Sequence, residues 1–133
     1  MTRTAGAAAV MALALALAAL AGCGEGGDGR GRLHLPGPGF VPDPGRGQAL
    51  FRAHCAECHG VDARGTAKGP PLVHPVYRPS HHADLAFHFA VRDGVRQHHW
   101  HYGDMPPVPG LTPEAVGHIV AWVRAEQRRA GIR

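Results

Sequence analysis

Five consecutive residues, Cys55-Ala56-Glu57-Cys58-His59, constrain this chain more than any other part of its sequence. Two thiols separated by two residues and followed at once by an imidazole form a C-x-x-C-H pattern, which is typical of covalent haem attachment. A C-x-x-C redox pair and half of a zinc site are the alternatives. Neither explains the histidine as simply, and the one remaining cysteine, Cys23, cannot complete a second pair. The pattern predicts one covalent haem c, bonded through Cys55 and Cys58, with His59 as an axial iron ligand.

The composition is poor in residues that build a core. The 133 residues include 19 glycines and 12 prolines, and only 6% are aromatic. A chain of this length holds one small domain, and a small domain with few core residues needs additional stabilisation. A large apolar ring would supply it by becoming the centre of the core. The formal net charge of +4 is too modest to indicate a particular partner.

The first quarter of the chain resembles an export signal. Arg3 precedes an alanine- and leucine-rich run over residues 5–21, as in secreted proteins. The run ends in Leu20-Ala21-Gly22-Cys23, which resembles the bacterial lipobox and implies that Cys23 is lipidated. Soluble export with Cys23 incidental and an uncleaved membrane anchor stay open as alternatives. All three place the chain outside the cytoplasm, where c-type haem is attached.

We therefore expect three parts in the chain. Residues 1–22 are predicted to be a lipoprotein signal peptide, residues 23–42 a flexible tether rich in glycine and proline, and residues 43–133 the haem domain. The tether has no apolar period that could bury a face. The arrangement predicts a membrane-anchored lipoprotein of the cell envelope that faces the periplasm or another extracytoplasmic space.

Three helices are predicted in the haem domain. Asp43-Pro44 is a helix start, so the first helix runs to about His54. The last has Thr112 as its cap and Pro113 as its first residue. It is predicted to bury Val116, Ile119, Val120 and Val123, with Arg124, Arg128 and Arg129 near its negative end. A middle helix is predicted from about His81 to Asp93, capped by Ser80 and closed by Gly94, with Leu85 and Phe89 facing inward.

With these helices around the haem motif, the chain resembles the class I c-type cytochromes over about residues 43–130. The resemblance implies an all-α fold, the small cytochrome c fold, with three to four helices wrapped around one covalently bound haem. It also implies that Gly47 and Phe51 of the first helix meet Ile119 and Trp122 of the last.

Two loops of the chain resemble ligand loops of that family. Gly69-Pro70-Pro71-Leu72 resembles the loop whose proline carbonyl accepts the N–H of the iron-binding histidine. This implies that Pro70 orients His59 and that Leu72 packs on the haem, although the same residues also suit a simple turn. Gly103-Asp104-Met105-Pro106-Pro107 resembles the distal-ligand loop, which implies that Met105 is the second axial ligand.

The high density of histidines in one stretch of the chain departs from the family pattern. Seven occur from His74 to His101, and five of them are candidates for a copper or zinc site beside the haem: His81, His82, His98, His99 and His101. The last three lie just before the Met105 loop, and one histidine could also replace Met105 on the iron. Hydrogen bonds to haem propionates and a solvated rim are the interpretation we favour, because adjacent histidines point in different directions. Trp100 is either a propionate donor or ordinary core.

These features predict a carrier of single electrons between redox proteins near the membrane, with no nucleic-acid partner and no small-molecule substrate. An enzyme with an open iron position is the main alternative, in which the histidines serve peroxide or nitrogen-oxide chemistry as acid and base. A third hypothesis is a metal-binding or sensor lipoprotein.

Overall fold

The computed structural model describes residues 31–133, so Cys23 and the predicted signal peptide lie outside the described residues. The elements are α1 (Pro44–His54), α2 (Ala56–His59), a 3-10 turn (Pro75–Tyr77), α3 (Asp84–Asp93) and α4 (Pro113–Arg129). The described residues contain no β-strand, only an isolated bridge between Val95 and Met105. The prediction of a small all-α fold is confirmed. None of the helices found over 31–133 is both long and apolar enough to cross a bilayer.

The first and last helices begin at the residues that the sequence indicated. The side chain of Asp43 accepts hydrogen bonds from the backbone N–H groups of Gly45 and Arg46, at 2.7 and 3.2 Å. Thr112 accepts from the N–H of Ala115 at 3.2 Å. In both helices a proline follows the cap, where its missing N–H has no helical partner to lose.

Helix α3 is shorter than predicted. It begins at Asp84, and Ala83 precedes it without a side-chain cap. Ser80 does not cap the helix, because its hydroxyl accepts a hydrogen bond from Arg78 Nε at 3.1 Å. The predicted first turn is instead a tight turn in which the N–H groups of His81 and His82 both donate to the carbonyl of Arg78.

The far end of α3 agrees with the prediction, since Gly94 follows it with a φ of 76°. The inward face is rotated from the predicted one. His88 and Val91 are buried, whereas Leu85 and Phe89 are half-buried.

The main core lies where α1 meets α4. A Cβ at Gly47 would lie 1.9 Å from the carbonyl oxygen of His118, so the two backbones approach as closely as only glycine allows. Beside this point the rings of Phe51 and Trp122 pack with centroids 4.6 Å apart. Ile119 extends the same cluster. The pairing that the family resemblance implied for Gly47, Phe51, Ile119 and Trp122 is present.

Arg124 differs from its prediction, because it is buried on α4 rather than exposed to the end of the helix dipole. Its guanidinium pairs with Asp84 at 2.8 Å and donates to Gln127 Oε1 and to the carbonyl of Tyr77, each at 2.7 Å. It also donates to the carbonyl of His82. A planar group with five donors is suited to such a set, and Arg124 thereby joins α4, α3 and the loop between α2 and α3.

Part of the predicted tether contacts the domain. The ring of Phe40 lies 4.9 Å from that of His118. Only glycine at position 117 leaves room for it, since a Cβ there would lie 2.6 Å from Phe40. His34 is hydrogen-bonded to the carbonyl of Leu111 at 3.2 Å, and the N–H of Gly37 donates to Glu114 at 3.3 Å. The boundary predicted at residue 43 is therefore crossed by contacts from residues 34–40.

We predict that Gly47→Ala lowers the free energy of unfolding by about 3 kcal/mol, because an added methyl group must push α1 away from α4. Urea denaturation of the haem-loaded protein would measure this. Gly37→Ala is the control, since a Cβ at Gly37 meets nothing within 4 Å. Equal stability of the two variants would contradict the close approach.

We predict that Arg124→Met lowers the free energy of unfolding by about 2–3 kcal/mol, because two loop carbonyls and the amide of Gln127 lose a charged partner. Arg128→Met, at an exposed position of the same helix, should change it by less than about 0.5 kcal/mol. Thermal and urea unfolding would compare the two variants. The interpretation fails if they are equally stable.

Candidate functional site

Most of the predicted site residues within 31–133 line one cavity of about 500 Å³, a size typical of pockets for organic ligands. The lining includes Cys55, Cys58, His59, Pro70, Leu72 and Met105. Phe87 and Phe89 contribute from α3. His98 and His99 are also among the lining residues, whereas His101 is not.

The two cysteines sit at the end of α1 and in α2. The N–H of Cys55 donates to the carbonyl of Phe51 at 2.8 Å, and the carbonyl of Cys55 accepts from the N–H of His59 at 2.9 Å. Both thiols are free; Cys55 is half-buried and Cys58 exposed. Burial, with a smaller contribution from Cys58, raises the pKa of Cys55 to about 11. Short helical turns thus hold both sulfurs and the imidazole of His59 beside the same cavity.

His59 is buried, and its hydrogen bond shows which ring nitrogen carries the proton. Its Nδ1 lies 2.8 Å from the carbonyl oxygen of Pro70. A carbonyl oxygen can only accept, so Nδ1 carries the proton and Nε2 keeps its lone pair. Burial lowers the pKa of His59, partly offset by the Pro70 carbonyl, which favours the neutral ring that a metal requires.

The loop after the motif folds back onto it. The hydroxyl of Thr66 donates to the carbonyl of Cys58 at 2.6 Å, and the N–H of Gly65 donates to the carbonyl of His59 at 2.7 Å. A Cβ at Gly69 would lie 3.0 Å from the Cys58 oxygen. These contacts place the Pro70 carbonyl against His59.

The Met105 loop is held on both sides of the methionine. Met105 exchanges two backbone hydrogen bonds with Val95, each 2.9 Å long. Pro106 and Pro107 follow it, and the N–H of Val108 donates to the carbonyl of Val91 at 2.8 Å. A Cβ at Gly94 would lie 2.5 Å from the Met105 oxygen. The loop therefore presents the half-buried Met105 side chain from a fixed backbone.

The residues present fit a haem. Two free thiols, an imidazole with an available nitrogen and a thioether line a cavity whose walls include the aromatic rings of α3. The indole nitrogen of Trp100 is buried with no hydrogen-bond partner in the protein, although Trp100 lines the same cavity. A buried donor without a partner is costly, so it is suited to a bound group that carries acceptors.

Sequence reasoning missed several lining residues. Tyr77 and His82 reach the cavity from the loop between α2 and α3. Nothing in the local pattern of Tyr77 indicates this, and the sequence indicates His82 only as a candidate metal ligand. Phe87 could have been found, because Phe87 and Val91 are spaced i, i+4 on one helix face.

A family model described as Cytochrome c matches residues 45–126, more than half of the chain. The match spans α1, the C-x-x-C-H motif, the Met105 loop and most of α4. No match was found among curated proteins or among solved structures.

Proposed function

The chain belongs to the cytochrome c family, and from this we propose that it is a class I mono-haem c-type cytochrome, a lipid-anchored carrier of single electrons. The family assignment makes it a haem protein of electron transfer with covalently bound haem c. The proposal adds a single haem, ligation by His59 and Met105, and a tether at Cys23. The observation that carries it is the meeting of both thiols, His59 and Met105 at one cavity.

Each site residue has a separate part in this proposal. Cys55 and Cys58 would hold the macrocycle through thioethers, and His59 would offer Nε2 to the iron while Pro70 keeps its ring in one orientation. Leu72 would pack against the macrocycle, and the thioether of Met105 would be the second iron ligand. Haem iron supplies the one-electron redox couple.

A rigid surrounding supports electron transfer rather than substrate chemistry. Met105 is fixed through the Val95 bridge and the prolines after it, and His59 through Pro70. A thioether as the second iron ligand would favour the reduced state and would leave no iron position free for a substrate. The partners in this proposal are donor and acceptor redox proteins that dock briefly over a small surface.

We predict that Met105→Ala lowers the reduction potential by at least about 60 mV, equivalent to a tenfold loss of preference for the reduced state, because the thioether no longer favours Fe(II). The reduced variant should also bind carbon monoxide. Potentiometric titration and absorption spectra would measure both.

His101→Ala, on the same loop but outside the cavity lining, is the control and should keep the wild-type potential. Rapid and complete carbon monoxide binding by the wild type would favour the open-position enzyme instead. An unchanged Met105→Ala spectrum, with a changed spectrum for His98→Ala or His99→Ala, would assign the distal position to a histidine.

The membrane part of the proposal concerns Cys23 and the residues after it. Since Arg32 and residues 34–40 contact the domain, the proposed tether would comprise the nine residues from Cys23 to Gly31. A flexible segment of that length spans about 15–20 Å on average. The haem domain would then stay close to membrane-bound redox partners, which raises its effective concentration there.

We predict that Cys23→Ser moves the protein from the membrane fraction to the soluble fraction, because no lipid can be attached. Fractionation followed by haem staining would detect the change. Continued membrane retention of the variant would indicate an uncleaved helical anchor, and a soluble wild type would indicate ordinary export.

A further inference from the structure

Three histidines gather at the rim of the cavity. His81, His82 and His99 each offer a ring nitrogen, and these atoms all lie within 4.8 Å of one another. The ring centroids are 4.7 Å apart for His81 and His82, 5.2 Å for His81 and His99, and 5.1 Å for His82 and His99. Among residues 31–133 this is the one group of three potential metal-binding side chains of this kind.

The spacing of two of these nitrogens matches a metal site. His81 Nε2 and His99 Nε2 are 3.4 Å apart, longer than the usual range of an N–H hydrogen bond, about 2.7–3.2 Å. Two nitrogens bound to one tetrahedral Zn²⁺ at about 2.0–2.1 Å are separated by about 3.3 Å. The separation therefore suits two ligands of one ion as well as a hydrogen bond between the two rings.

His82 is oriented for the same purpose. Its Nδ1 lies 2.9 Å from the carbonyl oxygen of Val76, so Nδ1 donates and Nε2 keeps its lone pair. Metal-binding histidines commonly use their second nitrogen in this way. The carbonyl of Arg78 accepts from the N–H groups of both His81 and His82, at 3.0 and 2.9 Å, which fixes the adjacent pair in one turn.

The two segments that carry the histidines are each held in place. Arg124 donates to the carbonyls of Tyr77 and His82 and so ties the first segment to α4. In the second segment, the N–H of Gln97 donates to Asp104 at 3.0 Å, and Gln97 accepts from the N–H of Gly103 at 3.0 Å. Such support reduces the ordering cost of binding an ion.

The arrangement also lacks the partners expected of a structural histidine cluster. Within residues 31–133 no carboxylate is hydrogen-bonded to any of the three rings, and His81 and His99 are exposed to solvent. His98 lies against His99, with centroids 4.2 Å apart, but it is not among the three side chains whose nitrogens all lie within 4.8 Å of one another. Of the three candidates nearest the Met105 loop in the sequence, only His99 belongs to the cluster.

We propose that His81, His82 and His99 bind one divalent transition-metal ion, Zn²⁺ or Cu²⁺, at the rim of the cavity. Imidazole nitrogens suit both ions, and Cu²⁺ is expected to bind more tightly than Zn²⁺. The ion joins the segment at residues 78–82 to the loop over residues 95–105 that carries Met105. It restrains that loop at the rim of the cavity, a property separate from electron transfer.

Calorimetric titration of the haem-loaded full chain, purified without a polyhistidine tag, with Zn²⁺ and separately with Cu²⁺ tests the site. The wild type should bind one ion per chain, and His81→Ala and His99→Ala should each weaken binding at least tenfold. His101→Ala is the matched control, an exposed histidine two residues from His99, and should bind as the wild type does. The side chains of His81 and His99 are exposed, so their substitution should leave the fold intact. An unchanged haem absorption spectrum of each variant would check this.

Hydrogen exchange followed by mass spectrometry tests the link between the segments. Zn²⁺ should slow exchange of the Val95 and Met105 amides in the wild type but not in His81→Ala. The proposal is overturned if the wild type binds no stoichiometric ion, if His81→Ala and His101→Ala bind equally well, or if binding leaves exchange at these amides unchanged. Neither measurement involves electron transfer, so these outcomes are independent of the potential and carbon monoxide results.

Discussion

The backbone contact between α1 and α4 at Gly47 and His118 is the constraint from which the rest of the domain follows. It brings Phe51 against Trp122 and places the end of α1, where the C-x-x-C-H motif begins, beside the core that α4 supplies. Nothing larger than glycine fits at this point, so the two helices meet in one position rather than sliding along each other. The thiols and His59 are presented in one place because α1 is fixed there.

Two loops bring further residues of the site toward this helix pair. One returns to the motif through Thr66 and Gly69 and delivers the Pro70 carbonyl to His59. The other pairs Met105 with Val95 and is closed by prolines. Few apolar side chains are fully buried, and most of them lie on α4. A domain with so small a core gains much from a ring that can fill the remaining cavity.

Much of this could be predicted from local sequence. Asp43-Pro44 and Thr112-Pro113 mark helix starts whose caps involve residues three positions away or fewer, and the C-x-x-C-H motif is specific over five residues. The start of α3 could not be predicted, because Ser80 bonds to Arg78 and the chain turns once more before Asp84. The sequence indicated five candidate histidines, including the three of this group, but it could not show which of them converge, since the group joins residues from two loops whose relative position depends on tertiary contacts.

The environment of Arg124 could be predicted from the sequence only in part. With Val116, Val120, Val123 and Gln127 it follows the helical period of the buried face, so its burial could have been inferred from spacing, but its carbonyl partners could not. These partners limit which substitutions and insertions the domain can tolerate. A lysine would keep the charge yet lack the planar fork that reaches several oxygens at once. A single inserted residue between Gly117 and Arg124 would rotate the guanidinium by about 100° around the helix axis. Homologous domains that differ in length should therefore accommodate the difference in loops or beyond Arg129, while the spacing along α4 stays constant.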